Sequence, residues 1–334
     1  MTQPNNYAPS DYRSRLIQFE AQFVTAMESR GDLWLTPDLI ETVTAGPNTT
    51  VARFPVPLNA AGYKAHEGEI RYRQLSEKTF DVGFAVWSDG VMEKVTNLMS
   101  NEWSGWGSQP AAMARAALFL EGERAAAALE AGLTFTSWDG VTFFNASHPV
   151  NIFDSSKGVQ SNVKYSATVG NTTLDALRDQ IRKMKGPDGR ELGLDLTGLL
   201  YPTDLATSWE NVIGPLNGAA IVAPDGETNP FRWRGRIWGK RVWQFSSSTV
   251  YYAVATNRPD VKPLAGMRKL APRAVNMATG MVSVGPDDIE TFVRDMTHPE
   301  YEKTGSVGIG KKKYYEARTG IHTCIIRCNT AASD

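Results

Sequence analysis

Apolar positions recur at helical spacing near the start of the chain. Leu16, Phe19, Phe23 and Met27 share one face, which predicts a helix from Asp11 to about Ser29 that stops near Gly31. The pattern then changes to one rich in β-formers and broken by Gly and Pro, and residues 42–87 predict a long hairpin. On its outward arm Pro55 and Pro57 remove two N–H groups from one strand edge, so that edge cannot recruit another strand. On its return arm Glu67, Glu69, Arg71 and Arg73 alternate with Gly68, Ile70 and Tyr72, a charged face against a partly apolar one. Residues 59–68 form an exposed tip, and a hairpin this long needs another surface to lie on.

Helical periodicity returns twice. Ser88 or Asp89 is placed to cap a helix through Met99, which breaks at residues 100–108. Pro110 then suits a first helical turn, the apolar pattern runs to about Ala131, and Gly132 is placed as the terminator. At 1.5 Å per residue this second helix is about 33 Å long. Its inward stripe reads as Met113, Ala116, Ala117, Leu120, Ala127 and Ala128, small residues that admit close neighbours. A Trp-Asp-Gly turn follows, then an aromatic strand at 141–144 and a polar loop over 151–171. Further on, a helix runs from Thr172 or Thr173 to about Lys185 and ends at Gly186-Pro187-Asp188-Gly189. The remaining elements are a strand near 194–200, a helix from about Thr203 to Val212, strands within 218–257, a helix at 287–295, and strands at 305–317 and 321–328.

Composition narrows the function more by exclusion than by assignment. A formal net charge of -1 over 334 residues argues against a protein that grips nucleic acid electrostatically. No segment approaches the roughly 20 apolar residues that span a bilayer, and the N-terminus lacks the basic start and apolar core of a secretory signal, so a cytoplasmic origin is expected. Cys324 and Cys328, four apart on a strand, would lie about 13 Å from each other, too far for a disulfide, and are expected as reduced, partly buried thiols.

Candidate chemistry is thin. Asp139, Ser147 and His148 can be drawn as a triad, but neighbours on an extended chain point to opposite faces, so His148 reads as a turn histidine. His66, His298 and His322 are scattered without metal-ligand spacing. Gly305, Gly308 and Gly310 have neither nucleotide-binding spacing nor a following helix. Lys311, Lys312 and Lys313 read as a solvated face, and Trp103 and Trp106 as packing residues at a hinge. No catalytic, cofactor-binding or metal residue is assigned.

The run Asp139-Gly140-x-x-Phe143-Phe144-x-x-x-His148-Pro149 resembles the DG-x-x-FF-x-x-x-HP signature of Mu-like phage major head proteins, the gpT family. Residues 78–94 are similar to the strand-into-helix junction where the extended loop of such proteins returns. Residues 185–214 resemble their helix, turn, strand and Pro-initiated helix. Residues 305–328 resemble their closing strands, with Ile309 in place of an aromatic before Gly310 and Arg318 closer to Gly320 than the pattern has it; Arg258-Pro259 and Pro263-Leu264 match a shifted segment. The resemblance covers about 78–328.

It implies an α+β chain with an HK97-like major capsid fold. The parts would be an N-terminal arm (1–45), an extended β-hairpin loop or E-loop (46–80), a peripheral P domain with a spine helix (81–169), an axial A domain (170–285), and a return to the P domain (286–334). The implied function is a shell subunit, not an enzyme, without cofactors. It would assemble with itself as hexamers and pentamers of an icosahedral lattice around phage DNA, in the host cytoplasm, and remain in the virion. Other implied partners are a separate scaffold protein, since no long coiled segment precedes the arm, a portal, and packaged double-stranded DNA by weak non-specific contact, with no membrane. Arg53, Lys64, Glu67, Glu69, Arg71 and Arg73 are the expected inter-subunit contacts. Lys64 is the one attractive crosslinking lysine, but no partner Asn or catalytic Glu accompanies it, so crosslinking is not expected. Two other readings are an encapsulin-like compartment, which should carry a cargo-peptide groove, and a hydrolase using His148.

Overall fold

A computed structural model describes residues 9–28, 34–46, 48–56, 79–94, 108–214, 233, 235–270, 275–276, 281–282, 289–294, 301–304 and 306–332. In chain order these hold α1 (Pro9–Glu28), β1 (Ile40–Ala45), β2 (Val51–Pro55), β3 (Thr79–Gly83), β4 (Ala85–Lys94) and α2 (Gln109–Glu130). Next come β5 (His148–Pro149), β6 (Val159–Gln160), β7 (Val163–Lys164), α3 (Asn171–Arg182), β8 (Gly198–Tyr201), α4 (Thr203–Ile213), β9 (Trp238–Arg241) and β10 (Val250–Val254). The last are β11 (Leu264–Lys269), β12 (Val275–Asn276), β13 (Met281–Val282), β14 (Ile289–Arg294), β15 (Ser306–Thr319) and β16 (Ile325–Asn329).

Two five-stranded sheets organise the chain. β15 is the axis of the first. Along one edge it pairs antiparallel with β4, and along the other with β14 and then β11, which in turn pairs parallel with β1. The second sheet runs β7, β16, β10, β8, β9, with the apolar β10 buried between β16 and β8. Helices α3 and α4 close one core on this second sheet, where Leu174, Leu177, Ile181 and Trp209 meet Tyr251 and Ile326. A second core lies where the C-terminal half of α2 meets both sheets, with Leu129, Phe143 and Phe144 against Tyr252, Leu264, Tyr315 and Ile325. α1 packs on α2, β14 and β15 through Phe19, Phe23 and Met27. The base of the expected hairpin is present as the β2–β3 pair, held down by Phe54 and Val82 on Ala265 and Met267.

Four sequence expectations are corrected. The helix from Ser88 or Asp89 is instead strand β4, because ten consecutive residues, Ala85 to Lys94, pair with β15 and the ladder outweighs the capping signal. The helix at 287–295 is likewise strand β14, paired with Gly308–Lys313. Lys311 and Lys313 are not solvated. Both ammonium groups are buried, Lys311 on Glu20 and Lys313 on Glu121 at 2.9 Å. α2 has its expected span, but its buried face is Met113, Ala114, Gly122, Ala125, Ala126 and Leu129, while Ala116 is exposed. An Ala-rich helix has too little amphipathic contrast to choose its own face, so the neighbouring sheet chooses it. Ion pairs fix that choice: Arg124 to Glu316, and Glu121 to Arg268, both at 2.8 Å.

Both cysteines are free and fully buried, Cys324 in a short 3-10 turn and Cys328 in β16. Residues 57–78 and 95–107, with most of the E-loop and the Trp103–Trp106 break, lie outside the described residues.

Candidate functional site

The signature 139–149 folds as a buried knot against the end of α2. That helix ends at Glu130 and passes into a 3-10 turn at Ala131–Leu133, so Gly132, expected as its terminator, lies inside this turn and has no positive φ. Gly132 instead accepts a hydrogen bond from Phe144 N at 2.9 Å and lies flat against the Phe143–Phe144 pair. No aromatic strand forms at 141–144; a single bridge joins Thr136 to Thr142. The Trp138-Asp139-Gly140 turn places Gly140 at φ +89°, a conformation that favours glycine, and Val141 N donates back to Asp139 Oδ1.

This turn aims the Asp139 carboxylate inward, where its Oδ2 lies 2.6 Å from His148 Nδ1. His148 Nε2 lies 2.9 Å from the Phe143 carbonyl oxygen, which also accepts from Asn162 Nδ2 at 2.7 Å. His148, expected as a turn histidine, stands instead in the short strand β5 and is 0% exposed. His322 is not scattered either. Its ring stacks on His148 with centroids 3.8 Å apart and 8° between planes, and also on Trp138 with centroids 5.6 Å apart. His322 Nδ1 is 3.9 Å from Asp139 Oδ2, and neither ring nitrogen has a hydrogen-bond partner among the described residues.

Burial drives the electrostatics here. Burial works to raise the Asp139 carboxyl, but the His148 hydrogen bond, helped by the two nearby imidazoles, outweighs it and holds the group below its ordinary value. Burial, then the neighbouring His148, push His322 down to about 3 against the pull of Asp139. A cavity of about 320 Å³ reaches this knot, lined among others by Trp138, His322, Thr323, Lys185, Arg190 and Arg258. Burial also pushes the Cys328 thiol up to about 12 and Cys324 higher still, so neither is a ready nucleophile.

Of the expected contact residues, the described part of the chain holds only Arg53. It sits on β2, side chain 76% exposed, with its Nε 3.5 Å from Asp81 of β3. Lys64, Glu67, Glu69, Arg71 and Arg73 lie outside the described residues, as do His66 and His298. Reading along the sequence missed the His148–His322 pairing, because the two residues come from distant segments and only the return of the chain after β15 brings them together. The local signal was the Asp-Gly turn nine residues before His148, a spacing that lets a carboxylate fold back on an imidazole.

A family model described as phage capsid protein matches residues 98–298. No curated protein matches the chain. Among solved structures, the procapsid of bacteriophage JBD30 aligns over 97% of this chain and 76% of its own, at 13% identity and a TM-score of 0.54. The mature capsid of bacteriophage PhiM1 aligns over 90% of this chain and 89% of its own, at 11% identity and a TM-score of 0.49.

Proposed function

The chain belongs to the phage capsid protein family, and from that membership we propose how its subunits build a shell. It is a major capsid protein of HK97-like fold, it associates with itself, and its place is the virion capsid. In our reading the subunits close into hexamers and pentamers of an icosahedral lattice through head-to-tail contacts that form rings. The observation that carries this is the anchored hairpin base. Phe54 and Val82 pack β2 and β3 on β11, which fixes the two ends of the hairpin, with Arg53 and Asp81 exposed beside them. From there Lys64, Glu67, Glu69, Arg71 and Arg73 would meet a neighbouring subunit.

We assign an N-terminal arm to 1–45, an E-loop to 46–80, a P domain to 81–169 and 286–334, and an A domain to 170–285. Helices α3 and α4 on the second sheet support the A domain, and α2 along β15 supports the spine of the P domain. Strands β11 and β15, and β10 and β16, pair across these bounds. The 139–149 signature supports a place near Mu-like heads. A separate scaffold protein and a portal would be partners during assembly in the host cytoplasm. A near-neutral subunit would touch packaged double-stranded DNA only weakly.

We read the subunit as non-catalytic. Both nitrogens of His148 are engaged by Asp139 and Phe143, which leaves none to activate the exposed Ser147. Negative-stain electron microscopy of the purified protein, with sedimentation alongside, tests the assembly reading. Closed shells or capsomer rings are expected. A uniform monomer that forms no rings, even with a scaffold protein added, would overturn it.

A further inference from the structure

We propose that Asp139, His148 and His322 form a site for one first-row transition-metal ion, of which zinc best suits the donors. The three side chains come from the 139–149 knot and from the turn after β15, and their ligand atoms all lie within 4.8 Å of one another. Two imidazoles and a carboxylate are a common zinc donor set that leaves a fourth position open.

The hydrogen bonds prepare His148 for this role. A carbonyl oxygen only accepts, so the 2.9 Å contact with Phe143 O places a hydrogen on Nε2. Nδ1 then faces the Asp139 oxygen, and two acceptors 2.6 Å apart require a cation between them. That cation is either a proton, held by the ring or by the carboxyl, or a metal ion. A ligating histidine whose other nitrogen donates to a backbone carbonyl is the usual outer-shell arrangement of a metal site. His322 supplies the independent observation. It is 1% exposed, and both its nitrogens lack a partner among the described residues, a costly state for a buried polar ring unless something binds there.

The distances are close to what an ion needs. Bonds of about 2.0–2.1 Å in a tetrahedral site put neighbouring donors roughly 3.3 Å apart. Asp139 Oδ2 is now 2.6 Å from His148 Nδ1 and 3.9 Å from His322 Nδ1, so the first gap opens by about 0.7 Å and the second closes by about 0.6 Å, while the two histidine nitrogens, within 4.8 Å, draw together. The stacked rings cannot share an ion while parallel, and His322, held by no hydrogen bond at either nitrogen, is the ring that tilts. The cavity of about 320 Å³ that reaches His322 provides the way in, and room for water at the fourth position.

The test uses tag-free full-length protein, stripped with EDTA and titrated with zinc sulfate against a chelating dye, with bound metal counted after desalting. Wild type is expected to retain one zinc per chain and to melt at higher temperature with zinc than with EDTA. His322→Gln, close in shape, should weaken binding at least about tenfold and abolish the melting shift. Asp139→Asn is the second variant and should do the same, so a folding defect in one leaves the other to decide. Cobalt should give the intense visible absorption of a tetrahedral site in wild type alone. Wild type that retains no zinc, or variants that retain as much as wild type, would overturn the proposal. The readout is taken on the subunit and is independent of whether shells form.

Discussion

Gly132 shows how much a single missing side chain can carry. A Cβ there would sit 2.6 Å from one ring carbon of Phe144 and 3.3 Å from one of Phe143, both in the core shared by the two sheets. Gly132→Ala must push the aromatic pair aside, and overpacking of this kind costs about 1–3 kcal/mol, read as a lower melting temperature with unchanged helix content. Asp195 carries a different load, on the surface. Arg178 and Arg182 both bond its carboxylate. Burial works to raise this group, but the two guanidinium hydrogen bonds, with their charges, hold it at about 2 instead of the ordinary 3.8. Its contribution is therefore fully present above about pH 4 and is lost as the pH falls towards 2. The side chain is 37% exposed, so water screens the pair and the expected cost of Asp195→Asn at neutral pH is under about 1 kcal/mol. Acid melts should show a shallower loss of stability between pH 4 and 2 in the variant; equal slopes would count against the assignment.

Strand β15 explains most of what happened to the elements. Its two edges hold β4, β14 and β11, and its buried lysines reach α1 and α2. Segments 85–94 and 289–294 carry helix-start signals and mixed periodicity, and nothing within either shows that a fourteen-residue strand waits to pair with it. Helices with strong local cues, such as those at Asn171–Arg182 and Thr203–Ile213, were legible from the chain alone. The ion pair between α1 and β15 gives a test at this scale. Glu20 and Lys311 are 5% exposed each, and Lys311 also donates to Thr291 Oγ1 at 2.7 Å. Glu20→Ala strands a buried ammonium and should cost about 3–5 kcal/mol, whereas Glu20→Leu combined with Lys311→Met should recover most of that. Chemical denaturation of Glu20→Leu, Lys311→Met and the double forms the cycle, and a fully additive double would refute the coupling.

For the whole molecule, the proposed assembly depends on the hairpin of residues 46–80 meeting a neighbouring subunit. The hairpin's charged return arm suggests that electrostatic fit to a neighbour sets the register of the lattice. Arg71→Glu with Arg73→Glu should leave the melting curve of the subunit within about 0.5 kcal/mol of wild type, as surface changes usually do, while shells fail to form. Normal shells from that double variant would remove the assigned role of the hairpin. Because each contact is repeated around a closed lattice, weak individual interfaces suffice, and loss of one type should be felt cooperatively.

By itself the sequence determined the local features: where α1, α2, α3 and α4 run, and that an Asp-Gly turn precedes His148 by nine residues. These depend on neighbours within a few turns of chain, where spacing, caps and glycine conformation act directly. Tertiary structure alone decided that 85–94 and 289–294 are strands, which face of α2 is buried, that Lys311 and Lys313 leave water, and that His322 closes over His148. Each of those outcomes is set by a partner distant in the chain, and a ladder or a desolvated ion pair exists only once both halves have met.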